Sequence, residues 1–173
     1  MFSQEDSTQL YGEMIRQHYK PIYNFLAYLS GDRTVAEDLT QETFLAALSG
    51  ISTCKNLASL KTWLYRIAYH KFIDLQRKRM REVDLRNDCE QSICLASKVP
   101  EPINKLIGDE SLYCMSQAMA KLDLNEYSVI VLHYIQSLSF NEMALILDEP
   151  VGTVKARTSR TLAKLKTMLS ERE

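Results

Sequence analysis

The C-terminal part of the sequence carries a small, polar and basic helical face. At about 100° per residue, one side of a helix over residues 151–169 collects Gly152, Thr153, Ala156, Ser159 and Arg160, flanked by Lys155 and Arg157. Arginine can bind guanine through two hydrogen bonds, and both arginine and lysine hold phosphates. The face therefore predicts a surface that reads nucleic acid. An ordinary amphipathic helix with solvated cations is the alternative.

The residues just before this face predict the element that positions it. Ser139 and Glu142 form a capping-box pattern, after which apolar residues recur at helical spacing. Pro150 cannot continue that helix but suits the first turn of another. The expected packing arc of the second helix consists of Val151, Val154, Thr158, Leu162, Leu165 and Leu169. Residues 139–169 thus predict a helix-turn-helix.

Charge is divided between segments of this 173-residue chain. The formal net charge is only −1, so affinity for nucleic acid must come from local basic patches. Residues 71–81 and 155–166 hold two such patches. The hydrophobic content of 46% is enough for packed cores in one large or two small domains. Neither a long apolar run nor a signal-peptide pattern occurs, which predicts a cytoplasmic protein.

The cysteines and histidines do not predict a catalytic or metal site. The four cysteines, which lack metal-ligand spacing, are Cys54, Cys89, Cys94 and Cys114. We expect reduced thiols, with a switch between Cys89 and Cys94 as the alternative. The three histidines, which fall on different predicted helices without a motif, are His18, His70 and His133. The expectation is a protein without enzymatic activity, cofactor, metal or small-molecule substrate.

Two amphipathic helices are predicted in the N-terminal part. The first covers residues 8–29, where Pro21 requires either a kink or a helix start near Tyr19. Thr34 and Glu37 form another capping-box pattern and predict a second helix to about residue 49. Its apolar face consists of Ala36, Leu39, Thr40, Thr43 and Ala47. The opposite face, which suggests either a docking surface or a plain solvated face, carries Asp38, Gln41, Glu42 and Leu45.

A third helix over residues 60–81 mixes aromatic and basic side chains. Its predicted inner stripe consists of Leu60, Trp63, Leu64 and Ile67. The remaining aromatic and polar positions are Tyr65, Tyr69, His70, Lys71, Asp74, Arg77 and Lys78. Bases stack on aromatic rings at about 1–3 kcal/mol each while cations hold phosphates, so this mixture suits single-stranded nucleic acid. The alternative is that the aromatic residues belong to the core.

The fold class predicted from these patterns is all-α, with two small helical domains. An aperiodic stretch with Pro100 and Pro102 predicts a flexible linker over residues 83–108, between domains at 8–82 and 109–173. In the second domain, Ser111 and Asn125 are expected to cap two helices that support the helix-turn-helix. Their expected inward residues are Leu112, Met115, Ala118, Met119, Leu122, Val129, Ile130, Leu132 and Ile135. No sheet is predicted.

Three motifs in order, AEDLTQETFLAAL, TWLYRIAYHKFIDLQRKR and LSFNEMALILDEPVGTVKARTSRTLAKLK, resemble the extracytoplasmic-function (ECF, group 4) sigma factors of bacterial RNA polymerase. The resemblance implies a factor that binds core polymerase, recognises the −35 and −10 promoter elements and helps to melt DNA. It also implies control by an anti-sigma factor, often anchored at the membrane. His70 stands where asparagine is frequent and Leu60 where an aromatic residue is frequent, which leaves the −10 base preference open.

The resemblance also implies roles for individual residues. Contacts to the β′ clamp coiled coil fall on Asp38, Gln41, Glu42 and Leu45, and the second domain is expected to meet the β flap. Contacts to the −10 element fall on Tyr65, Tyr69, His70, Lys71, Asp74, Arg77 and Lys78. Contacts to the −35 element fall on Thr153, Lys155, Ala156, Arg157, Ser159 and Arg160. A stand-alone helix-turn-helix regulator, which would bind promoter DNA without polymerase, is the alternative function.

Overall fold

The computed structural model describes the backbone of residues 4–50, 60–85 and 110–170 and the side chains of residues 11–50, 60–82 and 113–170. The helices in these ranges are α1 (Gln4–Ser30), α2 (Arg33–Gly50), α3 (Leu60–Leu85), α4 (Glu110–Met119), α5 (Leu124–Ile130), α6 (Phe140–Leu147) and α7 (Val151–Ser170). A π-helical segment, Val131–Ile135, continues α5. The same ranges contain no strand, and the predicted all-α fold with two helical domains is confirmed. Helix α3 extends to Leu85, so the first three residues of the predicted linker, 83–85, are helical. The rest of the predicted linker and three cysteines, Cys54, Cys89 and Cys94, lie outside the described residues.

Helix α1 runs uninterrupted through Pro21. A start near Tyr19, one of the two expected solutions, is therefore wrong. Proline removes one backbone hydrogen bond, but the neighbouring Ile22, Phe25 and Leu26 are fully buried and hold the helix against the core. The helix ends at Ser30. The following Gly31 has a φ of 65°, which glycine readily adopts, and its N–H donates to the Ala27 carbonyl at 3.0 Å.

The start of α2 differs from the prediction. Asp32 Oδ1 accepts hydrogen bonds from the N–H groups of Thr34 at 2.8 Å and Val35 at 3.2 Å. The helix begins at Arg33, so Thr34 lies inside it and the predicted cap at Thr34 is wrong. The carboxylate two residues earlier satisfies the first free N–H groups instead. The predicted apolar face is confirmed, since all five of its residues are buried.

Two helices in the C-terminal part do not start as predicted. Helix α4 begins at Glu110, before Ser111. Helix α5 is capped by Asp123, whose Oδ1 accepts from the Glu126 N–H at 2.9 Å, so the predicted cap at Asn125 is wrong. Met115 and Ile135 were predicted inward but are 40% and 36% exposed. For Ile135, the π-helical turn after α5 changes the angular spacing and carries the side chain out of the buried stripe.

The helix-turn-helix is confirmed as α6 and α7. Ser139 caps α6 in a reciprocal capping box, with the Glu142 carboxylate accepting from the Ser139 N–H at 2.8 Å. Asp148 ends α6 in the left-handed conformation at φ 54° and ψ 43°. In α7, Leu162 was predicted to pack but is 39% exposed, whereas Thr161 is buried. The Thr161 hydroxyl donates to the Arg157 carbonyl at 2.9 Å, which satisfies this polar group in the interior.

Helix α3 joins the two helical groups. It packs against α1 and α2 on one side and against α6 on another, while α1 also meets the π-helical segment. The resulting apolar core includes Phe25, Leu64 and Phe72 from the first group and Leu132 and Met143 from the second. The N-terminal helices therefore share this core with part of the C-terminal helices, whereas Ala118, Leu122, Ile130 and Leu165 form a second cluster within the C-terminal part.

Candidate nucleic-acid interface

The outer face of α7 is open to solvent. Its exposed residues are Gly152, Thr153, Lys155, Ala156, Ser159 and Arg160. A Cβ atom added at Gly152 would meet nothing within 4 Å, so packing inside the protein does not require glycine there. Val154 and Thr158 on the inner side of the helix are buried. The fold thus presents a small, polar and basic face, as the periodicity predicted.

The side chain of Lys155 lies over the ring of Phe140, which in turn stacks on His133. Its ammonium group lies 5.8 Å from the centroid of the Phe140 ring, within the range of a cation–π contact. Phe140 stacks on His133 with the centroids 4.6 Å apart and the planes at 21°. His133 Nδ1 lies 2.9 Å from the Leu138 carbonyl, so this nitrogen carries the proton and donates it. The start of α6 and the π-helical segment thereby contribute to the position of Lys155.

Arg157 differs from its neighbours on α7. Its guanidinium Nη2 lies 2.9 Å from Glu149 Oε1 and 2.8 Å from Glu149 Oε2. The Arg157 side chain is only 20% exposed. The pair ties the corner before α7 to the second turn of the helix. The two residues are eight positions apart with a proline between them, so helical spacing gave no sign of this pair.

The candidate residues on α3 separate into buried and exposed groups. Tyr65 and Tyr69 are 1% and 8% exposed, whereas His70, Asp74, Arg77 and Lys78 are exposed and Lys71 is half-buried. The Tyr65 hydroxyl donates to Gln136 Oε1 at 2.6 Å, and burial raises the pKa of Tyr65 to about 12. Burial also raises the pKa of Tyr69. The aromatic part of the predicted surface is therefore internal, while the basic part is accessible.

Long-range polar contacts join α3 to the helix-turn-helix. Asp148, at the corner of the helix-turn-helix, holds Arg66 Nη2 at 2.7 Å and His70 Nε2 at 2.9 Å with its two oxygens. Thr62 Oγ1 donates to Glu142 Oε1 at 3.3 Å. These contacts join residues about 80 positions apart in the chain, a separation over which periodicity carries no signal.

The acidic face of α2 is exposed as predicted. Asp38, Gln41 and Glu42 are all exposed, and Leu45 is 63% exposed. Leu48, which the sequence did not suggest, is 46% exposed one turn further along. An accessible apolar pair beside carboxylates is compatible with contact to another protein.

Comparison with known proteins identifies the family of this chain. Residues 14–82 match the family model of Sigma-70 region 2, and residues 112–165 match that of Sigma-70, region 4. RNA polymerase sigma factor YlaC of Bacillus subtilis is 30% identical, over 89% of this chain and 88% of its own. ECF RNA polymerase sigma factor SigW of the same organism is 31% identical, over 93% and 89%. The chain belongs to the ECF RNA polymerase sigma factors.

Solved structures agree with this membership. Sigma factor RpoE of Bartonella quintana, determined in complex with the anti-sigma factor NepR, is 25% identical with a TM-score of 0.75 over 92% of this chain and 96% of its own. CnrH, determined with the cytosolic domain of CnrY, is 22% identical with a TM-score of 0.67 and supports the fold.

The two matched regions contain different parts of the candidate interface of this ECF sigma factor. The region 2 match includes the acidic face of α2 and the α3 candidates, and the region 4 match includes the helix-turn-helix up to Leu165. Among the residues that the structure describes, no helix has the length and apolar character needed to cross a membrane.

Proposed function

We propose that this ECF sigma factor binds core RNA polymerase, recognises the −35 and −10 elements of its promoters and promotes melting of the DNA, without catalysing a reaction itself. Residues 8–82 would bind polymerase and the −10 element, residues 83–108 would link the domains, and residues 109–173 would bind the −35 element. The observation that carries the proposal is the open, basic outer face of α7 within a capped helix-turn-helix. An α-helix with such a face fits the major groove of duplex DNA.

Within the −35 interface, we assign base contacts to the central residues of the α7 face. Lys155, Ala156, Ser159 and Arg160 would lie nearest the base edges, with Arg160 the strongest candidate for guanine because its guanidinium can donate two parallel hydrogen bonds. Thr153 would contact a phosphate. Arg157 shares its charge with Glu149, so we assign it to the groove margin, where it braces the corner of the helix-turn-helix.

For the −10 element, the proposed surface is α3. Lys71, Arg77 and Lys78 would hold phosphates. Tyr65 and Tyr69, which are internal in this structure, would stack against bases of the separated strand only once their rings are exposed. His70 and Asp74, both exposed beside these residues, complete the proposed surface. Extrusion of a base costs a few kcal/mol, which stacking and phosphate contacts must offset.

The proposed polymerase-binding surface is the exposed face of α2. Asp38, Gln41 and Glu42 offer charge and hydrogen bonds, and Leu45 offers an apolar contact to the β′ clamp coiled coil. The C-terminal helices would meet the β flap. Because the B. quintana RpoE structure contains an anti-sigma factor, we also propose control of this chain by an anti-sigma factor. We propose that the chain acts in the cytoplasm, where a membrane-anchored anti-sigma factor would hold it at the inner face of the membrane.

Co-elution with purified core polymerase on a sizing column tests the first step. The wild-type chain is expected to co-elute, and Leu45→Ala is expected to weaken the complex several-fold. Met80→Ala is the matched control because Met80 is also more than half exposed but lies on α3. A wild-type chain that does not bind core polymerase, yet binds promoter duplex tightly on its own, would favour a stand-alone regulator.

A further inference from the structure

Phe140, the first residue of α6, connects Lys155 to the π-helical segment. The Lys155 ammonium lies 5.8 Å from the centroid of the Phe140 ring, and the same ring stacks on His133 with the centroids 4.6 Å apart. An aromatic ring attracts a cation through its quadrupole although it carries no formal charge. Lys155 is thus held by a neutral group.

Two other cations of α7 are held by carboxylates instead. Arg157 pairs with Glu149, and Lys164 pairs with Glu126, so each of them shares its charge with an acid. In the part of the chain that the structure describes, no carboxylate pairs with Lys155, whose side chain is exposed. DNA can therefore meet the full charge of Lys155 without first displacing an anion.

The ring that holds Lys155 is itself fixed by local contacts. Ser139 and Glu142 close a reciprocal capping box around the first turn of α6, which sets the backbone of Phe140. His133 Nδ1 donates to the Leu138 carbonyl at 2.9 Å, and Leu138 is buried. These bonds lie within the protein, so the two stacked rings are in place before DNA binds.

We propose that Phe140, supported by His133, is a positioning residue that makes Lys155 read a base of the −35 element. The inference rests on the proposed function and adds two residues outside α7 to those that determine −35 specificity. It places no DNA contact on either ring, because both act through the lysine.

The physical reason is the flexibility of lysine. A lysine side chain has a long flexible stem, and a contact between its ammonium and a phosphate carries no sequence information. An ammonium held at one place over a ring can instead be aligned with the O6 and N7 acceptors of guanine. The N–H groups that do not face the Phe140 ring remain available for these acceptors.

Three substitutions in the full chain test the positioning role. Phe140→Leu keeps an apolar side chain against the core but removes the ring. Phe140→Tyr keeps the ring and is the conservative rescue. His133→Gln retains an N–H group that can donate to the Leu138 carbonyl, but removes the stacked ring. Tyr113→Leu is the matched control, because it removes a half-exposed aromatic ring from α4.

The measurement is selection of −35 sequences from a randomised duplex pool with core polymerase present, after circular dichroism has verified the helical content of each variant. Lys155→Ala identifies the base pair that the lysine reads. Phe140→Leu is expected to lower the preference at that base pair about two- to fivefold, as loss of one exposed cation–π contact allows. His133→Gln should act in the same direction, whereas Phe140→Tyr and Tyr113→Leu should match wild type.

Double variants separate positioning from a general loss of stability. Phe140→Leu should add nothing to Lys155→Ala at the shared base pair, because the ring acts through the lysine. The effects of Phe140→Leu and Arg160→Ala should be independent, since we assign the arginine to a different base pair. An equal change at all base pairs in Phe140→Leu would overturn the proposal, because a merely destabilised helix-turn-helix has that effect.

Nuclear magnetic resonance gives a second readout that needs no DNA. The ring current of Phe140 should move the ε-methylene protons of Lys155 upfield in wild type and in Phe140→Tyr, but not in Phe140→Leu. Absence of this shift from the wild type would overturn the proposal, as would an unchanged preference at the Lys155 base pair in Phe140→Leu. If Phe140→Leu does not fold, an unchanged preference in His133→Gln would overturn it instead.

Failure of the proposed function would give a different result. A wild-type chain that shows the ring-current shift, yet selects no −35 sequence with core polymerase, would lose the proposed promoter function. The placement of Lys155 on the ring would still stand.

Discussion

Lys71 Nζ on α3 lies 3.1 Å from Glu42 Oε2 on α2. The ion pair joins a residue that we assign to the −10 strand to one that we assign to core polymerase. Either ligand would have to share or break this pair, because each would use the charge of one member. Contact with polymerase at Glu42 would free Lys71 for a phosphate.

Replacement of Glu42 tests this link. Glu42→Gln is expected to weaken binding to core polymerase while it increases affinity for single-stranded DNA about twofold. The loss in unfolding free energy is expected to stay below about 1 kcal/mol, since both side chains are more than one-third exposed. Glu37→Gln controls for the change in net charge. Lower affinity for single-stranded DNA in Glu42→Gln would contradict the link.

Arg160 on the outer face of α7 is expected to determine one position of the −35 sequence. Arg160→Ala should lower promoter affinity by about 1–3 kcal/mol and relax the preference at a single base pair. Lys166→Ala removes a positive charge further along the same helix. Any loss of DNA affinity in this variant should be similar for all DNA sequences. Selection of binding sites from a randomised duplex pool, with core polymerase present, gives both preferences. An unchanged preference in Arg160→Ala would show that another residue reads the bases.

The capping box of α6 predicts a stability that depends on pH. Ser139→Ala should lower the unfolding free energy by about 1 kcal/mol. Hydrogen bonds from Ser139 lower the pKa of Glu142 below 4.5, the ordinary value for the carboxyl group. Its contribution is therefore complete above pH 4.5 and is lost as the pH falls through the lowered pKa. Urea unfolding at pH 7 and pH 3.5 should show a difference between wild type and Glu142→Gln that is smaller at the lower pH.

The environment of His18 on α1 disfavours the protonated form of its ring. Burial, and secondly the charge of Lys61 on α3, lower the pKa of His18 below 6.5. Because the folded chain favours the neutral ring, its stability falls as the pH drops below 6.5 and through the lowered pKa. Lys61→Met should raise the pKa of His18 part of the way back, which NMR titration of the ring protons would report. A pKa above 6.5 in the wild type would contradict this environment.

Sequence patterns predicted which segments are helical and which faces are buried better than they predicted where each helix begins. The buried face of α2 and the capping box at Ser139 follow from spacing within one helix, and both are confirmed. The caps were misplaced where several residues able to cap stand close together, as with Asp123 and Asn125. At this site the cap is Asp123, because Glu126 three residues later completes a capping box with it, each side chain accepting from the backbone N–H of the other residue.

The environment of α3 could not be predicted in the same way. Its sequence is apolar on several sides, so periodicity does not tell which neighbour covers Tyr65 and Tyr69. Gln136, which accepts from the Tyr65 hydroxyl, and Asp148, which binds Arg66 and His70, lie about 70 to 80 positions away in the chain. Such long-range packing depends on the tertiary arrangement, whereas the open face of α7 depends only on the helix and its immediate support.

Run-off transcription with purified core polymerase, over a library of promoter fragments, tests the central claim most directly. We expect defined transcripts from a subset of fragments only when this protein is added, with shared sequences at −35 and −10. Arg160→Ala should change which fragments are transcribed. If core polymerase stays silent while the protein alone shifts duplex DNA in a gel, the proposed role in initiation is wrong.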